Sequence, residues 1–357
     1  MGLNLFYWLY SFFGVNILQY ITVRAGLAFV ISFLVAMIIM PRFIAWARSR
    51  AKHQPIYEHA PQTHQVKVGT PTMGGVVFVG SAVLATFLTA KLTNFYVIGG
   101  LVVLALFCLI GMKDDYAKIN KQSNQAGLKP REKLYYQLGV SFFVSSILIA
   151  YGHTTTLYVP FYKYPILDIG LFMLFFWMLI MIAASNAVNL TDGLDGLAVV
   201  PSIVAFISLS ALVYISGNAI LSGYLLIEKI ELAGELTVLG AALIGSMIAF
   251  LWYNAHPAEV FMGDSGSLAI GGLMGYMAII AKSEFLLILI GFIFVVETVS
   301  VILQVGSYKL RQKRVFLMAP IHHHYEKKGW KENKIIVRFW IIAFMANLAA
   351  LLTLKLR

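Results

Sequence analysis

Ten continuous apolar runs divide the chain, at about 22–41, 74–90, 95–112, 134–151, 166–185, 198–216, 237–253, 267–281, 285–305 and 335–354. Most reach the roughly 20 residues that a helix needs to cross a hydrocarbon slab; the eighth is short. Their apolar positions do not alternate, which argues for helices and against a β-barrel. Pro41 and Pro71 bracket the first long polar stretch, as helix-ending residues would. Neither an internal repeat nor a low-complexity linker interrupts the pattern. The expected fold is therefore all-α, one polytopic integral membrane domain over residues 1–357 with about ten transmembrane helices. Its polar connections on one side fall at about 42–73, 113–133, 186–197, 254–266 and 306–334.

Composition agrees: 60% of residues are hydrophobic, 12% are charged and the mean hydropathy is +0.81. A soluble protein this apolar could not cover its surface. The first 21 residues lack the basic start of a cleavable signal and are rich in aromatics, which suits a segment lying in the membrane interface. The single cysteine, Cys108, sits in an apolar run and reads as a packing residue. The net charge of +11 reports topology and anionic small-molecule partners, with no nucleic acid implied, because the basic residues are clustered. Three connections, after the first, third and ninth runs, hold 19 of the 27 lysines and arginines. The positive-inside rule places those connections in the cytoplasm and both chain ends on the outer face.

The acids then stand out. Five of the six aspartates fall on that same side, in three short segments: Asp114 and Asp115, Asp192 and Asp195, and Asp264. In Asn186-Ala-Val-Asn-Leu-Thr-Asp-Gly-Leu-Asp-Gly-Leu197, residues Asn189, Asp192 and Asp195 recur every third position, which on a helix puts them roughly on one face. A plain polar turn between two helices is the simpler reading of this one segment. Three acidic segments at one membrane depth favour a bound cation, because carboxylates at the edge of hydrocarbon are costly without one. An all-oxygen donor set suits a hard ion, Mg²⁺ first, used together with substrate phosphates. The surrounding lysines, Lys67, Lys118, Lys121, Lys129 and Lys133, could offset a phosphate-rich substrate. Asp264, in Phe261-Met-Gly-Asp-Ser-Gly-Ser267, could cap the eighth helix or hold the metal. His322, His323 and His324 are consecutive and cannot all face one ion, so phosphate binding or proton buffering near neutrality is the expectation, against a plain surface turn. Glu297 lies inside the ninth run, as a functional acid or a structural hydrogen-bonding group.

The Asn186–Leu197 segment resembles the polyprenyl-phosphate N-acetylhexosamine-1-phosphate transferase superfamily. Gly69-Thr-Pro-Thr-Met-Gly-Gly75, Phe261-Met-Gly-Asp264, Glu297-Thr-Val-Ser-Val-Ile-Leu-Gln304 and the triple histidine narrow the resemblance to the phospho-N-acetylmuramoyl-pentapeptide transferase family. The family implies a homodimeric multi-pass enzyme of the bacterial inner membrane. Its termini are periplasmic and its active site is cytoplasmic. It moves phospho-N-acetylmuramoyl-pentapeptide from UDP to undecaprenyl phosphate, giving lipid I and UMP with Mg²⁺. By the same resemblance Asp264 and Asp192 hold the metal, and Asp114, Asp115 and His323 are catalytic beside them. Lys67, Thr72, Lys118, Lys133, Asn189, Leu190, Asp195, Asn254, Phe261, Gly263, Gln304, His322 and His324 then line the substrate. Two competing readings are a sister transferase moving N-acetylglucosamine-1-phosphate and a cation-coupled transporter. The transporter predicts carboxylates near the midplane instead of at helix ends.

Overall fold

The computed structural model describes Gly14 and residues 16–49, 69–121 and 127–355. Ten apolar helices carry the fold: α1 Ile21–Ser49, α2 Gly74–Thr89, α3 Phe95–Lys121, α4 Pro130–Ala150, α5 Met173–Thr191, α6 Val199–Gly217, α7 Leu236–Asn254, α8 Asp264–Ile280, α9 Phe292–Arg311 and α10 Glu332–Leu352. Eight of the ten are long and apolar enough to cross a membrane; α2 and α8, with 16 and 17 residues, are shorter. Each expected apolar run has its helix, so the chain is an all-α polytopic membrane protein. A two-residue antiparallel pairing, Thr156–Leu157 with Leu167–Asp168, is the only sheet among the described residues. The interfacial reading of residues 1–21 lies mostly outside them.

Helix α8 is the axis of the bundle. Every residue from Ser265 to Ile280 is buried, enclosed chiefly by α3 and α5, with α2 and α6 completing the wall. Its shortness follows from that position, since a helix shielded by its neighbours need not match the hydrocarbon thickness. Trp177, Phe78, Phe107, Phe206 and Phe250 fill the core around it with no side-chain exposure to speak of.

Three expected boundaries shift. Pro41 does not end α1, which continues to Ser49. The turn around the proline is kept because Met40, Ile44 and Ala47 are buried on both sides of it, and the Arg42 guanidinium donates to the carbonyl of Ile38 at 2.7 Å. Helix α3 runs on to Lys121, well into the connection expected at about 113–133. The ninth run is broken at Gly291, so α9 begins only at Phe292.

The end of the bundle away from the aspartates is held by buried polar contacts. The Arg24 guanidinium grips Glu235 through two hydrogen bonds of 2.7 and 2.5 Å, joining the start of α1 to the entry of α7. Beside it, just after α4, His153 Nε2 donates to the carbonyl of Ile279 at 3.2 Å, and Nδ1 accepts from the Tyr96 hydroxyl at 3.3 Å. Lys282 and Glu284 pair at 3.1 Å and share the site with Trp177. Burial first, then the Lys282 ammonium, pushes the His153 imidazole down to about 4. The folded protein thus keeps His153 neutral while the unfolded chain takes up a proton below about 6.5. Stability from this group is full above that pH and is lost as pH falls towards 4, by about 3 kcal/mol at the limit. Melting temperatures measured between pH 4 and 7 should flatten on this acid side in His153→Gln. An unchanged slope would assign the acid sensitivity elsewhere.

Candidate active site

At the other end of the bundle the ends of α3, α4, α5 and α8 converge on Asp264. Its Oδ1 accepts from Asn189 Nδ2 at 2.8 Å, and its Oδ2 lies 2.5 Å from Lys133 Nζ and 3.2 Å from Lys118 Nζ. Lys118 also pairs with Asp114 one turn before it on α3, at 2.5 Å, and Lys133 stands 3.6 Å from the same oxygen. Asp114 Oδ1 accepts from the Leu128 amide at 2.8 Å, two residues before α4 begins.

Asp115 does something different from its neighbour. Its two oxygens accept from the backbone amides of Asp264 and Ser265, each at 3.0 Å. A helix begins with amides that have no partner inside it, and here a carboxylate from another helix satisfies two of them and complements the positive end of α8. Gly263 makes this possible: its φ is 74°, and a Cβ there would lie 2.5 Å from Asp115 Oδ2. Asp264 is thus the first residue of α8 and not its cap, with its carboxylate free for the lysines.

Ligand oxygens of Asp114, Asp115 and Asp264 all lie within 4.8 Å of one another. Three converging carboxylates offer the all-oxygen donor set of a hard divalent ion, so the residues fit Mg²⁺. Asp192, expected as the second ligand, is outside that group. It ends α5 close by, and burial first, then the charges of Asp264, Asp115 and Asp195, push its carboxyl up to about 8.

The remaining expected residues sort themselves by contact. Asn189 reaches both Asp264 and Ser267 Oγ, the latter at 2.9 Å. Leu190 is exposed beside it, and Thr72 is buried against Gly263. Phe261 joins the chain around Pro71 through a 2.8 Å bond from its amide to the Pro71 carbonyl. Asn254 is buried and links the acidic turn to the α7–α8 connection, accepting from the Gly196 amide at 3.0 Å and donating to Val260 at 2.8 Å. The Asp195 carboxylate is turned to the same connection, onto His256 Nδ1 at 3.0 Å and the Ala258 amide at 3.1 Å. His256 and Glu332, whose Oε1 accepts from the Asp195 amide at 3.2 Å, went unremarked in the sequence because their partner is distant along it.

The three histidines open a short helix, Ile321–Lys327, and point three ways. His322 is buried with Nδ1 3.1 Å from Glu297 Oε1, packed close against Gly193. His323 Nδ1 lies 2.6 Å from Glu326, and His324 Nδ1 accepts from the Leu317 amide at 3.1 Å. Gln304 holds the connection leading to this helix, accepting from the amides of Val315 and Phe316 at 3.0 and 2.9 Å. Lys67 and the Lys121 side chain lie outside the described residues. Lys129 is not among the lysines bound to the aspartates; its amide starts α4, donating to Glu132.

The acids therefore gather around a basic pair, Lys118 and Lys133, at one end of the bundle. Comparison with known proteins gives the class first: residues 97–282, just over half of the chain, match the model of glycosyl transferase family 4. Residues 67–79 match signature 1 of phospho-N-acetylmuramoyl-pentapeptide-transferase. The chain is 64% identical over 353 residues to the phospho-N-acetylmuramoyl-pentapeptide-transferase of Aliarcobacter butzleri, covering 99% of this chain and all of that one. It is 60% identical to those of Nitratiruptor sp. and Wolinella succinogenes, covering 98% of this chain and 99% of each of theirs. The chain belongs to the phospho-N-acetylmuramoyl-pentapeptide-transferase family.

Proposed function

We propose that this chain transfers phospho-N-acetylmuramoyl-pentapeptide from its UDP carrier to undecaprenyl phosphate, producing lipid I and UMP for peptidoglycan synthesis. The observation that carries the reading is the Asp264 centre, two lysines and an asparagine on one carboxylate, in a chain matching its named relatives end to end. An oxygen of the lipid phosphate attacks the β-phosphorus of the UDP-sugar. The bond from that phosphorus to the bridging oxygen breaks, and UMP departs with the electron pair. The second ionisation of a phosphate monoester lies near pH ~6, so the nucleophile is largely dianionic at neutrality and a general base has little left to do.

The chain's own task is to let two anions meet. Lys118 and Lys133, now spread over Asp114 and Asp264, are the cations within reach of the pyrophosphate. Asp115 acts through the backbone by holding the first turn of α8, which leaves Asp114 as the carboxylate beside the incoming lipid phosphate. Asp264, with Asp114 and Asp115 within 4.8 Å of it and Asp192 close by as the further ligand the resemblance implies, would hold Mg²⁺; when bound, the ion neutralises charge on the transferred phosphoryl group. Asn189, Leu190, Asn254, Phe261 and the Gly193–Gly196 turn border the space for the nucleotide, and His322 to His324 approach it from the α9–α10 connection. The reading places this centre on the cytoplasmic face of a bacterial inner membrane, supported by the clustered lysines and arginines, with a homodimer as the working unit. Reactivity of single cysteines placed at Lys129 and at Lys163 towards a membrane-impermeant reagent in intact cells tests the orientation.

Purified protein should release UMP from UDP-N-acetylmuramoyl-pentapeptide only when undecaprenyl phosphate and Mg²⁺ are both supplied. Equal release from UDP-N-acetylglucosamine would move the assignment to the sister transferase, and no release from either donor would remove the enzyme reading.

A further inference from the structure

The contacts around Asp264 have a second, uncharged layer beneath them. Lys133 on α4, Asn189 on α5 and Asp264 on α8 meet in the first layer. One helical turn deeper into the bundle, the residues four positions along each helix meet again: Gln137, Ser185 and Leu268. Gln137 Nε2 donates to Ser185 Oγ at 3.2 Å, and Ser185 Oγ donates to the Leu268 carbonyl at 3.1 Å. Asn186 Nδ2 completes the layer, donating to Gln137 Oε1 at 2.9 Å and to the Ile182 carbonyl at 2.8 Å. Gln137 and Ser185 are buried, 1% and 0% exposed.

We propose that Gln137 is a positioning residue for the transfer reaction, fixing α4 against α5 and α8 so that Lys133 is delivered onto Asp264. The inference rests on the reading of the reaction given above. Apolar contacts let packed helices rotate or slide by fractions of an ångström, whereas an amide held at both its oxygen and its nitrogen does not. Lys133 needs that support. Its four-carbon stem has many rotamers of similar energy, so the place of its ammonium depends on where the helix puts its Cα. Lys118 needs none of it, because it stands on α3 and is held by Asp114 of its own helix. The layer therefore distinguishes two lysines that meet the same carboxylate.

The chemistry also makes the residue removable. In Gln137→Leu, Ser185 keeps the Leu268 carbonyl and Asn186 keeps the Ile182 carbonyl; the one Asn186 N–H that loses its acceptor belongs to a half-buried side chain, so the fold should survive. The first readout does not involve turnover: amine acetylation of the protein in detergent without substrate or metal, quantified by mass spectrometry. Lys133 should be modified several-fold faster in Gln137→Leu than in the parent, with Lys118 unchanged. The second is kinetic. The kcat for UMP release should fall about tenfold with KM for the UDP-sugar within twofold of the parent. The same substitution should add less than twofold to Lys133→Ala, because coupled residues are not additive. Should Gln137→Leu prove too unstable to purify, Asn186→Ala, which leaves Gln137 in place but releases its amide oxygen, is expected to show the same two signatures. Equal acceleration at Lys118 and Lys133, no acceleration at either, or a loss of kcat that is undiminished in the Lys133→Ala background would overturn the proposal. A parent protein that released no UMP would instead count against the reaction, leaving the labelling result to decide the positioning.

Discussion

Asp264→Asn is expected to lower the rate of UMP release by about a thousandfold or more at saturating Mg²⁺, equivalent to roughly 4 kcal/mol of lost transition-state stabilisation. Asparagine fills the same space, so the cause has to be chemical. The substitution removes the one carboxylate that Lys118, Lys133 and Asn189 share, and it takes a negative charge from the three-acid group best suited to a hard cation. Thermal stability should fall, because the Lys118 and Lys133 ammoniums lose the carboxylate they share at 3.2 and 2.5 Å and keep only Asp114. Near-normal UMP release by Asp264→Asn, with the melting temperature as a control on folding, would remove Asp264 from the chemistry.

Much of this centre is legible in the sequence, and the illegible part has a physical reason. The ten apolar runs foretell the ten helices because continuous hydrophobicity is what crossing a bilayer demands. The helix ends facing the aspartates are misjudged for the complementary reason. Lys113 to Lys121 is polar, so hydropathy reads it as a loop, yet the backbone stays helical through it and places Asp114 and Lys118 one turn apart on α3. Spacing shows that Asp114 and Lys118 can pair. It does not show that the lysines lie on the protein's own carboxylates before any phosphate arrives.

Partners far apart in the chain are the other loss. Asp115 and Asp264 look alike as members of an acidic cluster, but the amides that Asp115 accepts from lie 149 and 150 positions away. Nothing local marks it as a helix cap supplied by another helix. Glu297 and His322 were each singled out as candidates, one inside the membrane and one in a polar connection, and only the fold shows them 3.1 Å apart. Sequence reasoning found the residues with unusual chemistry; pairing them required the crossing of α3, α5, α8 and α9.

That crossing is itself testable at Gly111, where α3 runs against the first turn of α8. A Cβ at this position would sit 2.1 Å from the Asp264 carbonyl oxygen and 2.4 Å from the Ser265 amide nitrogen. Both are backbone atoms and cannot swing aside, so Gly111→Ala has to push the two helices apart. Overpacking of this kind costs about 1–3 kcal/mol. Asp115 is one turn further along the same helix, and its two 3.0 Å bonds to the amides of Asp264 and Ser265 would stretch with the displacement, adding about 1 kcal/mol for a weakened cap. The functional loss should exceed the loss of stability. Moving a reacting group by about 1 Å can cost a hundredfold in rate, and here Asp264, Lys118 and Asp114 would all shift relative to Lys133 and Asn189. Gly111→Ala is therefore expected to lose at least a hundredfold in kcat at temperatures where it remains folded. Gly80→Ala on α2, where a Cβ meets nothing within 4 Å, should match the parent in rate and in melting temperature. If Gly111→Ala turned over like the parent, the close approach of α3 to α8 would not be what aligns the carboxylates, and the account of how this fold builds its centre would have to be redrawn.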